Sequence, residues 1–114
     1  MITVVIARDK DGNINSFKCE GHAGFKSSND EKDMVCAAVS AIIYSALGYM
    51  EEYYKIKDFI QKDGLIEWIR PSGVGQNIIN NISPVLDAMA VGLKQIQMQY
   101  GKNIKVIDGG TLKC

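Results

Sequence analysis

Cysteine and histidine are the side chains best suited to covalent and proton-transfer chemistry near neutral pH. This chain has one histidine, His22, and three cysteines, Cys19, Cys36 and Cys114. A free thiol with a pKa of about 8.5 is mostly protonated at neutral pH, so a nucleophilic cysteine needs surroundings that favour its thiolate. Cys36 reads as having them. It follows Asp33 by three residues, and Asp33 reads as the N-cap of a helix, which places Cys36 in the first turn near unpaired NH groups and the positive end of the helix dipole. His22 is the imidazole available as general base or, once protonated, as the acid that releases a leaving amine. The same residues have plainer uses. A cysteine in an apolar helix is often a small hydrophobe, and a lone histidine is often a surface side chain. Cys19 sits in a strand-like run and reads as packing, and Cys114, the last residue, reads as tail. One histidine and scattered cysteines fall short of a tetrahedral ligand set, so neither metal nor other cofactor is expected.

The positioning elements follow from pattern. Residues 2–7 are apolar and largely β-branched, and Asp9-Lys10-Asp11-Gly12-Asn13 has turn chemistry. The run Ile14 to Glu20 alternates, with one slip in phase that a bulge would absorb, and delivers Gly21-His22 at its end. Residues 23–32 are small and polar, as in a solvated loop. From Asp33, the spacing of Met34, Val35, Ala38, Val39, Ile42, Ile43, Ala46 and Leu47 predicts a central helix, which Gly48 weakens near its end. Strands are predicted over Tyr53–Ile60 and Leu65–Arg70, joined by a turn at Asp63-Gly64. A second helix is clear from Val85 onward. It starts either at Ser83-Pro84, or near Gln76 with Pro84 as a kink. A last strand spans Asn103–Ile107. The order ββαββαβ predicts an α+β single domain over residues 1–114, with two helices packed on a small, mostly antiparallel sheet.

Composition narrows the partners. Lys plus Arg and Asp plus Glu are 13 each, giving a formal net charge of zero, and no basic stripe suggests direct nucleic-acid binding. The apolar stretch Met34 to Leu47 is interrupted by serines and a tyrosine and is short for a bilayer span. The opening residues lack a signal-peptide pattern, and three unpatterned cysteines suit a reducing compartment, so a cytoplasmic protein is expected.

The segment Gly21-His22-Ala23, followed after a polar loop by Asp33-Met34-Val35-Cys36-Ala37-Ala38-Val39-Ser40-Ala41, resembles the signature of the bacterial ribosomal-processing cysteine protease family, Prp. The order of elements is similar over nearly the whole chain. The resemblance implies a small homodimeric endopeptidase that removes a short N-terminal extension from a large-subunit ribosomal protein, cutting after a hydrophobic, aromatic-rich stretch. It implies Cys36 as nucleophile, His22 as general base and acid, and Asp33, Ser40 and Gly21 as supporting residues. Asp33 would cap the helix or orient His22. The Ser40 hydroxyl would bond within the site or back to the Cys36 carbonyl, and Gly21 would leave room for a peptide backbone. Backbone NH groups around Val35 and Cys36 would serve as oxyanion donors, and the loop 24–32 would gate the site. Two rival readings are a non-catalytic ribosome-associated binding module and another thiol enzyme, redox or acyl-transfer. The redox version lacks a resolving cysteine near Cys36 in sequence.

Overall fold

The computed structural model describes residues 1–21 and 30–109, the first four of the second span by backbone alone. Strand β1 (Ile2–Arg8) turns Ile2, Val4 and Ile6 to one side, where all three are buried, and leaves Val5 exposed on the other. The hairpin that follows is held by Asp9. One of its carboxylate oxygens accepts the NH groups of Asp11 at 2.9 Å and Asn13 at 3.0 Å, and the other accepts Arg70 Nη2 at 3.0 Å. Strand β2 (Ile14–Glu20) carries the expected bulge. Arg8 is opposite Ile14 and Ala7 opposite Ser16, so Asn15 has no partner on β1, and its carbonyl instead accepts the Arg70 NH at 2.8 Å.

Helix α1 (Asp30–Tyr54) starts three residues before Asp33 and extends past the predicted stop. Its end is set by Lys55 in the left-handed region (φ 58°). The Lys55 NH bonds the Glu51 carbonyl at 3.1 Å and the Ile56 NH the Met50 carbonyl at 3.2 Å. Residues 53 and 54, predicted as strand, are therefore helical. Met50 continues the buried stripe, and the Tyr49 ring meets those of Tyr53 and Tyr54 at 4.9 and 6.2 Å, so helical packing overrides their β-propensity. Strand β3 shrinks to Phe59–Lys62 and pairs with β4 (Leu65–Ile69) across the Asp63-Gly64 turn, where Gly64 has φ +78°. Helix α2 (Gln76–Tyr100) takes the longer of its two predicted forms, with Pro84 inside. Pro84 offers no NH to the carbonyl of Asn80 on the solvent side, and the preceding Ser83 hydroxyl donates to the Ile79 carbonyl at 2.7 Å. Strand β5 (Ile104–Asp108) completes the order ββαββαβ.

The sheet runs β3-β4-β2-β1-β5, antiparallel at every junction except β1 with β5, which is parallel. The inward residues of the sheet, with Phe17 and Trp68 the largest, form one core with both helices. Outward residues such as Val5, Lys18, Glu67 and Ile60 form a cross-strand row on the open face. Arg8 ties β1 to β5 through both carboxylate oxygens of Asp108, each at 2.9 Å, and to α2 through Asp87 at 2.8 Å. The segment Met34–Tyr54 is apolar and long enough to cross a bilayer, longer than the run read from sequence. Its residues Val35, Val39, Ile43, Ala46, Leu47 and Met50 are buried in the core, a burial of 33% of the apolar window. This packing gives a first expectation. Ile43→Ala, at a fully buried site, should lower unfolding free energy in urea by about 2–5 kcal/mol. Val91→Ala, on the exposed face of α2, should change it by less than about 0.5 kcal/mol.

Candidate active site

Where the end of β2, the β3–β4 turn and α1 converge, they enclose a cavity of about 520 Å³. Helix α1 contributes Cys36, Val39, Ser40 and Tyr44. The residues Cys36, Ser40 and Tyr44 recur every four positions and so share one face. Buried Val35 and Val39 set the rotation of the helix that turns this face to the cavity. The β3–β4 turn supplies Gln61 to Ile66, and Ile2 and Cys19 line the buried side.

Gly21 lines the cavity too, and the structure explains its identity better than room for a substrate does. Its φ is +101°, where a side chain is strained, and an added Cβ would overlap the carbonyl oxygen of Met1. Its NH donates to the Gly64 carbonyl at 2.8 Å. One hydrogen bond thus couples the residue before His22 to the turn that walls the cavity.

His22 itself lies outside the described residues, as do residues 23–29 of the loop and Cys114. The backbone of Asp33 is described and its side chain is not. Since α1 starts at Asp30, Asp33 lies within the helix and is not its N-cap. Asn29, ahead of Asp30 in the sequence, is an equally good capping type. Two expectations change with that. Cys36 lies nearly two turns inside the helix, beyond the turn in which the dipole acts most strongly. The NH groups of Val35 and Cys36 fall within the helical hydrogen-bond ladder, pointing at carbonyls four residues back, and are not free oxyanion donors.

Ser40 lines the cavity, and among the described residues its hydroxyl forms no bond to the Cys36 carbonyl, unlike the back-bonded Ser45 and Ser83. Cys19 and Cys36 are both free thiols. Burial pushes the Cys19 thiol up to about 11, and the charge of Cys36 adds to the rise, so Cys19 is protonated at neutral pH. The Tyr44 phenol is raised as well, chiefly by burial and further by Cys19. Among the described residues no group of three acidic, histidine or cysteine side chains is placed to hold a metal.

From the sequence Cys19 reads as packing and Asp63-Gly64 as a hairpin turn, and neither they nor Tyr44 are expected at the site. The signals were present but weak. Cys19 has the inward phase of β2 two residues before Gly21, and Tyr44 is two helical turns beyond Cys36.

Residues 1–105 match the family model described as cysteine protease Prp. The chain belongs to the Prp family and is a cysteine protease. Among solved structures, it is similar to the essential ribosomal processing protease Prp from Staphylococcus aureus in complex with a covalently linked product peptide. The two share 25% identity over 95% of this chain and 99% of the other, with a TM-score of 0.78. The same protease with a substrate peptide superposes with a TM-score of 0.77 at 24% identity, covering 95% and 99% of the two chains. A Streptococcus mutans protein has the same fold, at 22% identity, TM-score 0.76 and coverage of 95% and 93%. Among curated proteins no relative matches.

Two measurements check this candidate site. Gly21→Ala should destabilise the protein by about 1 kcal/mol or more in urea. A glycine needed only for substrate clearance would leave stability unchanged. Iodoacetamide at pH 7 should alkylate Cys36 at least about 100-fold faster than Cys19, because the latter is buried and protonated.

Proposed function

We propose that this protein removes the N-terminal extension of a large-subunit ribosomal protein, with Cys36 as nucleophile and His22 as general base and acid. The supporting observation is that Cys36 opens into a cavity whose wall includes Gly21, the residue directly before His22, in a chain of a cysteine protease family. The complexes of the Staphylococcus aureus protease with product and substrate peptides support a ribosomal substrate. The Cys36 thiolate attacks the scissile carbonyl carbon, forming a tetrahedral intermediate. His22 protonates the departing amine, leaving an acyl group on Cys36, and then draws a proton from the water that hydrolyses it.

Asp33 precedes Cys36 by three residues on the same helix, so the two share a face. With its capping role removed, Asp33 is assigned to orienting His22. Ser40, one turn beyond Cys36, offers its hydroxyl to substrate or intermediate. Gly21 holds the turn from which His22 departs. The protein acts as a homodimer in the bacterial cytoplasm, requires no metal or cofactor, and reads its substrate without binding RNA directly.

The test is incubation with a peptide spanning the extension junction. The parent protein should cleave it. Cys36→Ser and His22→Ala should each lower kcat/KM by at least about 10³-fold. Asp33→Asn should lower kcat by more than about 10-fold with an unchanged melting temperature, whereas a purely structural role would move the melting temperature too. No cleavage by the parent, or undiminished cleavage by Cys36→Ser, removes this function.

A further inference from the structure

Cys19 and Cys36 are far apart in sequence, yet both line the same cavity, one from β2 and the other from α1. Cys36 is half-buried at the open side, whereas Cys19 is 8% exposed at the buried side. A small oxidant entering the cavity therefore meets Cys36 first. Both are reduced in the structure, and the charge on one thiol is felt by the other. A disulfide requires Cα atoms about 4.4–6.8 Å apart and converging side chains. The cavity that both residues line is the space across which the two side chains would converge.

We propose that Cys19 is a resolving thiol for Cys36, so that a hydroperoxide converts the pair into a disulfide that inactivates the protein reversibly. The inference rests on the reading of Cys36 as the reactive thiol. In the first step the Cys36 thiolate attacks the terminal peroxide oxygen. An S–O bond forms, the O–O bond breaks, sulfur loses two electrons to the peroxide, and the hydroperoxide leaves as water or an alcohol after taking up a proton. In the second step the sulfur of Cys19 attacks that of Cys36. The S–S bond forms, the S–O bond breaks, and the departing hydroxide leaves as water with the Cys19 proton. The disulfide removes the nucleophile from service and protects it from irreversible oxidation to the sulfinic and sulfonic acids. Reduction by a dithiol restores both thiols.

The experiment uses the full chain carrying Cys114→Ser, with hydrogen peroxide as oxidant, and two readouts. Peptide mapping without reductant should show a Cys19–Cys36 cross-linked peptide lighter by two hydrogens than its reduced halves. Cleavage activity, normalised to each untreated protein, should fall with peroxide and return with dithiothreitol. With Cys19→Ala or Cys19→Ser in the same background, peroxide should carry Cys36 to the sulfinic acid, and dithiothreitol should restore little. Absence of the cross-link in the parent, or equal recovery in the Cys19 variants when they retain the parent circular-dichroism spectrum, overturns the inference. The mass readout does not depend on the protein's own cleavage activity. A cross-link in a protein that cleaves nothing supports the thiol pair while removing the proposed protease substrate, and cleavage without a cross-link removes only the pair.

Discussion

The packing of α1 against the inward face of β1 and β2 is the constraint on which the site depends. Val35, Val39, Ile43 and Met50 are all at least 98% buried, and they meet a sheet face built from Ile2, Val4, Ile6 and Phe17. Because these contacts fix the rotation of the helix, they fix which stripe is left to the cavity. Cys36, Ser40 and Tyr44 occupy it. An error of one residue in helical phase is about 100° of rotation and would bury the thiol or turn it to bulk solvent. Core packing and the chemistry of the site are thus set by the same contacts.

A second constraint fixes the opposite wall. The chain leaves β2 at Gly21 with a backbone conformation that suits glycine, and the Gly21 NH is anchored on Gly64. The β3–β4 turn is small, and its Gly64 also has positive φ. Two glycines with permissive backbones therefore define the rim, and the end of β2 cannot shift without disturbing the turn. At the far end of the sheet, Arg8 and Arg70 join the hairpin, β4, β5 and α2 through carboxylates, which keeps the parallel edge strand in register.

The sequence made much of this legible because its periodicities are clear. The apolar, β-branched run of β1, the Asp-Gly turn, the bulge in β2 and the apolar face of α1 all appear in the structure near their predicted positions. The limits of α1 were less legible. Asp33 is a good capping type, but Asn29 ahead of it is equally good, and local propensity does not choose between them. Tyr53 and Tyr54 favour strand locally, but the tyrosine contacts and the Lys55 stop keep them helical. The Cys19–Cys36 juxtaposition was invisible for another reason. It depends on how a helix lies across a strand, a tertiary fact that spacing along the chain does not encode.

The central claim, that the cavity at the convergence of β2, α1 and the β3–β4 turn presents Cys36 as the nucleophile, is tested most directly by covalent capture. A chloromethyl ketone built on the residues preceding the extension junction would be incubated with the parent protein, and the modified residue mapped by mass spectrometry. Modification of Cys36, slowed by competing substrate peptide and strongly reduced in His22→Ala, is the expected result. Modification of Cys19 or Cys114 in its place, or labelling of Cys36 that substrate peptide fails to slow, would contradict it.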